Sequence, residues 1–326
     1  MKLLISAIFI LVIFFKTGNL LSDNNLFNVN NIFLEKKDNI STNQLANLAI
    51  REAFSKLIKK VLLKKDINKV SNLNFLNIKD LVMYYNISKN IQKKKNKVTF
   101  SVTFDKDKIH DLFYKKGISY SDVIDKEFYI LPILFKNNEI FIFSNNYFYE
   151  NWNYDNSKDL IEFILPIENI EIIQKINKSR NDLLNMNLEE LFKEYPNKNI
   201  SFALIENNKD DINKIYLKLK INNKIISKSL NLKENNLEKI ISLIKDEIIN
   251  LVKSQNLIDI RTPSFLNAKL RTDKKNNLIL IKTELKKIDL IENIFVMELS
   301  KDYVDIKIKY LGKLENLLNQ LKVKNI

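Results

Sequence analysis

Val98-x-Phe100-x-Val102-x-Phe104 alternates apolar and polar residues without a break, and Ile109, Leu112 and Phe113 follow at helical spacing before Gly117. A period of two buries one face of a strand and leaves the other to water. A helix starting directly behind such a strand covers that one face, and the pair builds a two-layer unit. Asp105 and Asp107 stand where orphan N–H groups and the helix dipole favour acids, and Gly117 suits the left-handed residue that ends a helix. The same pairing returns near the C-terminus. Val304-x-Ile306-x-Ile308-x-Tyr310 is followed by Leu314, Leu317 and Leu318. One supersecondary unit used twice accounts for the match, either as a duplication or as independent use of a common unit.

The rest of the chain fills out three parts. The first, residues 23–125, reads βαββα: an irregular strand at 27–34, a helix capped by Ser41 or Thr42, a loop at 65–79, a strand near 81–91, then the strand and helix above. Ala46, Ala49, Ile50, Ala53, Phe54, Leu57, Ile58, Val61 and Leu62 form the apolar stripe of the first helix, which buries one helix face. The central part, residues 126–260, reads as mixed α/β. A hairpin at 128–135 and 139–143 turns at Asn137-Asn138, and strands are expected at 161–166, 200–205, 212–221 and 224–230. Helices are expected at 170–184 and 188–195, and a long amphipathic helix carries Leu237, Ile240, Ile241, Ile244, Ile248, Leu251 and Val252. The last part, residues 261–326, follows a linker at Thr262-Pro263-Ser264. It reads as a second βαββα module, half of a ferredoxin-like unit, with a strand at 278–281 and a short helix at 284–291. Strands at 293–299 and 304–310 and a helix at 313–321 complete it. The expected fold class is α+β.

At the N-terminus, Lys2 precedes an apolar run over residues 3–15 interrupted by Ser6 alone. A positive start and a short apolar core have the layout of a secretory signal peptide, and the run is shorter than the roughly 20 residues a membrane-spanning helix needs. The expectation is export to the periplasm with cleavage after Ser22, so that residues 1–22 are the signal; an inner-membrane anchor at 3–15 is the other reading. Cysteine is absent, which removes structural disulfides and thiol chemistry and fits a bacterial envelope protein better than a small bridged secreted domain.

The formal net charge is +14, yet only Arg51, Arg180, Arg261 and Arg271 are arginines. Nucleic-acid readers favour arginine and cluster their charge, whereas here lysine is scattered, with one dense run at Lys93-Lys94-Lys95. Asn, Ile, Phe and Lys all have A/T-rich codons, so genome composition accounts for the excess. No nucleic-acid partner is expected.

Leu131-Pro132-Ile133 before the hairpin, Asn146-Tyr147-Phe148-x-x-x-Trp152 and Ile164-Leu165-Pro166 stand in order along the central part. With the alanine-rich first helix, the 100–104 strand ending in Asp105, and Tyr310-x-Gly312-x-x-x-x-Leu317, they resemble the family called domain of unknown function 2066. That family occurs in proteobacterial envelope-associated proteins. Its Asn-Pro-Trp-x-x-x-Trp motif corresponds to Asn146, Tyr147, Phe148 and Trp152, with Tyr147 and Phe148 as departures. The resemblance covers nearly the whole chain after the signal. It implies an exported bacterial protein and brings no activity with it.

His110 is the single histidine, and with no cysteine beside it neither a catalytic triad nor a histidine-based metal centre can be assembled. Three glycines (Gly18, Gly117 and Gly312) form no phosphate loop or dinucleotide fingerprint, and no cofactor is expected. Asp105 and Asp107 read as helix caps rather than metal ligands, and Glu189-Glu190 as first-turn acids. The aromatic cluster Tyr147, Phe148, Trp152 and Tyr154 is the one site-like feature. It reads either as a hydrophobic plug between the central domain and a neighbour or as a partner-contact ledge. The functional expectation is a non-catalytic envelope protein with a binding or assembly role and an envelope protein as partner. A carboxylate-dependent periplasmic hydrolase and a peripheral protein on an anionic membrane are the alternatives.

Overall fold

A computed structural model describes residues 26–35, 40–89, 97–122, 127–153, 161–208, 211–232, 234–271, 277–300 and 303–324. The proposed signal at 1–22 and the lysine run at 93–95 lie outside the described residues. The protein is α+β and divides into two compact units. One joins residues 1–120 to 258–326, and the other comprises 121–257. The first and last parts expected as separate modules therefore belong to a single discontinuous unit.

In that unit the order is β1 (Asn28–Glu35), α1 (Thr42–Val61), α2 (Lys64–Ser71), α3 (Phe75–Asp80), β2 (Val82–Lys89), β3 (Lys97–Phe104) and α4 (Lys106–Lys116). The strands form an antiparallel sheet in the order β1-β3-β2. A capping box starts α1: the Ser41 hydroxyl accepts from the Gln44 N–H at 3.2 Å, and the Gln44 side-chain oxygen accepts from the Ser41 N–H at 2.9 Å. All nine residues of the expected stripe are buried, and the small side chains at 46, 49 and 53 bring α1 close to the sheet. Asp105 caps α4 through the N–H groups of Asp107 and Lys108, and Gly117 closes it at φ +61°.

Residues 65–79, expected as a loop, are the short helices α2 and α3. Each buries too little to show a period: only Asp66 and Val70 in α2 and Ile78 in α3 are buried. The second half of the unit follows as β4 (Tyr120–Ser121), of which Tyr120 belongs here, and, after the other unit, β11 (Leu257–Ile258), β12 (Ser264–Arg271), α9 (Asn277–Lys286), β13 (Ile291–Leu299), β14 (Tyr303–Tyr310) and α10 (Leu314–Val323). Its sheet, β12-β14-β13, is antiparallel and repeats the order of the first one. The elements run strand, helix, strand, strand, helix, but three differ from expectation, and the helix expected at 284–291 ends at Lys286, with β13 starting at Ile291. The first strand begins at the supposed linker, where Leu266, Ala268 and Leu270 face inward. Residues 278–281 lie in a helix, because Leu278, Ile281, Leu285 and Ile288, three and four apart, pack on the core together. A short apolar run does not by itself distinguish the two periods. One hydrophobic core runs through both halves, from Phe27 and Phe54 to Ile306, Ile308 and Leu317.

The other unit holds β5 (Glu127–Lys136), β6 (Glu139–Phe141), α5 (Tyr147–Asn151), β7 (Glu162–Ile164), α6 (Ile170–Lys178), α7 (Leu188–Leu191), β8 (Asn199–Asn208), β9 (Asp211–Ile221), β10 (Lys224–Asn231) and α8 (Leu237–Gln255). Its sheet runs β10-β9-β8-β5-β6 with β7 also on β5; β5 is parallel to β7 and β8, and the other pairs are antiparallel. Both faces of β5 are buried. Phe128 and Ile130 meet the α8 side, while Leu131 and Ile133 meet the α6 and α7 side. The expected helix at 170–184 ends at Lys178 and gives way to a 3-10 turn, Arg180–Asn185. Among the described residues no helix is long and apolar enough to cross a membrane.

Among the described residues seven non-glycine positions adopt positive φ, and all are asparagines: 31, 137, 138, 145, 197, 222 and 223. Asn137-Asn138 and Asn222-Asn223 fill both central positions of two-residue hairpin turns, the geometry whose twist suits paired strands. Asn223→Gly is expected to hold or raise stability. Asn223→Ala should cost about 1–2 kcal/mol, the penalty of a Cβ in the left-handed region; urea melts of both variants check it. Phe54→Ala should cost about 3–5 kcal/mol as a buried aromatic truncation, read from the same melts.

Candidate functional site

Two side-chain clusters carry the polar chemistry of the molecule. The first is the aromatic segment singled out by sequence. Asn146 is fully buried, and its amide nitrogen meets three backbone carbonyls, Pro132 at 2.9 Å, Phe141 at 3.1 Å and Ile142 at 2.8 Å. Its oxygen accepts from the Phe148 N–H at 3.1 Å and so caps α5. One side chain thus ties the β5–β6 hairpin to the helix behind it, and asparagine is required because a single group must both donate and accept.

The capped turn sends Phe148 and Trp152 into the core on the α8 side, where both are essentially fully buried with Phe128, Phe163 and Ile244. The Trp152 and Phe163 rings meet edge to face at 6.1 Å. The ammonium of Lys245, on α8, lies 5.9 Å from the Trp152 ring centroid, close enough for a cation–π attraction. The indole Nε1 is buried and finds no acceptor among the described residues. Tyr147 is half-buried at the margin of this core, and Tyr154 lies outside the described residues. The contact-ledge reading is corrected for Phe148 and Trp152, since neither offers surface to a partner. The plug reading is corrected in its place, because these residues fill the interior of their own unit.

The second cluster was missed by sequence. His110 is buried on α4 between two partners. Its Nδ1 is 3.1 Å from Glu292 Oε1, and its Nε2 is 3.1 Å from the Tyr120 hydroxyl. Phe27 stands edge-on to the ring and Tyr120 stacks on it. Around it, Asp289 accepts from the Leu26 N–H at 2.9 Å, Lys106 donates to the Ile291 carbonyl at 2.8 Å, and Lys60 donates to the Leu26 carbonyl at 3.3 Å. The bonds made by Asp289, Glu292 and the Ile291 carbonyl join the two halves of the discontinuous unit. No local signal could reveal them, since His110 and Glu292 are 182 positions apart.

The hydrogen bond from His110 holds the Glu292 carboxyl below its ordinary value, although desolvation opposes it. Burial pushes the Asp289 carboxyl up against the pull of the Leu26 N–H and the neighbouring cations. Both imidazole nitrogens are engaged, so the ring has neither a free N–H nor a free lone pair for a substrate. The carboxylates that meet here act as linkers between segments.

The remaining acids and cavities are simpler. Asp105 is the cap expected of it. Among the described residues no group of three or more histidine, cysteine, aspartate or glutamate side chains converges as metal ligands would. A cleft of about 500 Å³ beside α6 mixes Lys175 and Lys178 with Asp182 and Glu190, and such balanced charge selects no single ligand class. Comparison of the chain with protein-family models, with curated proteins and with solved structures finds no match.

Two measurements check these clusters. Trp152 fluorescence should be blue-shifted and poorly quenched by iodide, and Trp152→Ala should lose about 3–5 kcal/mol. The carboxylates have opposite pH signatures. A depressed value stabilises the fold above pH 4.5, and that contribution fades as pH falls through the folded-state value; a raised value weakens the fold as pH climbs past 3.8. Glu292→Gln is therefore expected to lower the melting temperature at neutral pH and flatten its fall in acid. Asp289→Asn, which keeps the acceptor for Leu26, should raise it at neutral pH. Wild-type profiles from both would remove the cluster from any account of stability.

Proposed function

We propose that this chain is an exported, non-catalytic protein of the bacterial envelope that binds or assembles with other envelope proteins through strand addition. The observation that carries the reading is the free edge of the first sheet. Among the described residues β2 is bonded to β3 on one side only. Every residue from Met83 to Ser88 is exposed, on both faces, and none carries a charge. Natural edge strands are normally blunted by lysine, proline or a covering element, because bare N–H and C=O groups invite pairing. An uncharged edge bearing Met83, Tyr84, Tyr85 and Ile87 suits an extended partner strand, with backbone bonds giving affinity and alternate side chains giving specificity.

Export is supported by the signal-like layout of residues 2–15, and an envelope role by the resemblance to the family of domain of unknown function 2066. The commitment of His110 and Asp105 to structural bonds favours contact over chemistry. A photo-crosslinking residue at Ile87, expressed in the native cell, is expected to capture an envelope protein, and Tyr85→Lys should abolish capture without changing the melt. Equal capture from the exposed but remote Tyr114 would overturn strand addition. Mass spectrometry should find the mature N-terminus near Asp23; an intact Met1 on membrane-associated protein would overturn processing.

A further inference from the structure

We propose that the outer face of the second sheet docks on an anionic phospholipid bilayer. Cross-strand register sets Phe265, Lys309 and Asn293 in one row of that face and Asn267, Lys307 and Phe295 in the next. Neither row contains an acid. Phe265 and Phe295 are 52% and 41% exposed, and the Lys307 ammonium lies 4.7 Å from the Phe265 ring centroid. The acids of this face stand in the following row, where Lys269 approaches Asp305 at 3.8 Å and Glu298 pairs with Asp305 across the strands. Half of the face is therefore cationic and aromatic; the nearest acid is Glu292, in the bulge beside Asn293, which Lys309 reaches electrostatically but which is held by His110.

The first sheet supplies an internal comparison. It has the same strand order, yet its corresponding positions Thr99, Ser101 and Thr103, with Tyr84, Asn86, Ser88, Asn28 and Phe33 beside them, carry no charge. The basic face belongs to one sheet and is not the average of a lysine-rich chain.

The apolar component decides between anionic partners. Beyond the two phenylalanines, Met297, in the bulge of the strand that forms the edge of the sheet among the described residues, is 64% exposed, whereas Leu299 pairs with the buried Val304 and belongs to the other face. The Met297 side chain offers no ring to stack on a nucleobase. Apolar side chains insert into the interfacial region of a bilayer while lysines reach the phosphates, and the two contributions together hold a peripheral protein. This surface is separate from the β2 edge and does not rest on strand addition there.

The test is co-sedimentation of the full chain with phosphatidylglycerol-containing vesicles and with pure phosphatidylcholine vesicles. Binding to the anionic vesicles alone, weakened by salt, is expected. Each lysine should contribute about fivefold in partitioning, so Lys307→Glu with Lys309→Glu should lower it by at least that square, about 25-fold. Phe265→Ser with Phe295→Ser should lower it while leaving the salt dependence in place. Asn86→Glu with Ser88→Glu, on the first sheet, should leave binding unchanged. Thermal melts establish that each variant is folded. Equal binding to both vesicle types would assign it to the apolar run at 3–15 and overturn the proposal. So would wild-type partitioning of the lysine variant, or binding of a single-stranded oligonucleotide, lost in that variant, without binding to vesicles.

Discussion

The discontinuous unit depends on one meeting of distant segments, the backbone of Leu26 and the side chain of His110 against the 289–292 turn into β13. Two carboxylates, two lysines, a histidine and a tyrosine are satisfied there at once. A buried ionic cluster is expensive to desolvate, and replacing one with apolar groups is frequently neutral or favourable. What such a cluster supplies here is register. Two βαββα halves with the same sheet order could pack in several ways through their greasy faces alone. The bond from Leu26 to Asp289 and the Glu292–His110–Tyr120 chain distinguish one of those arrangements.

Asparagine performs in this protein the work that glycine and serine perform elsewhere. It occupies every described non-glycine position of positive φ, and it caps α3, α5, α6, α7 and α8 with its side chain. The physical reason is its short amide, which tolerates the left-handed region and bonds to neighbouring backbone. A chain with three glycines can still turn tightly and end its helices because asparagine substitutes at both tasks.

The same substitution explains which elements could be read from sequence. Long stripes such as 46–62 in α1 and 240–252 in α8, and the alternations at 98–104 and 304–310, were legible because many residues repeat one period. The helices α2 and α3 were not. Their caps are asparagine or absent, and in an asparagine-rich chain that cap is no signal. Residues 278–281 were ambiguous because four consecutive apolar residues fit a strand and a helix equally. In the aromatic segment the spacing of Phe148 and Trp152 showed that they point the same way. It could not show the direction, which Asn146 fixes by bonding to the preceding hairpin. The His110 cluster lay beyond any pattern, since its members come from five separate segments.

The interruption of the first unit has a consequence for synthesis. Residues 26–120 leave the ribosome before the 137 residues 121–257, and only then can Ile258 and the strands beyond it appear. Until that moment the inner side of the first sheet and of α4 lacks half its core, and His110 lacks its carboxylate. The intervening unit has a complete sheet of its own and can close first. The nascent chain therefore carries an unfinished, sticky half-domain through most of translation, a species for which a holding chaperone is the natural client relationship.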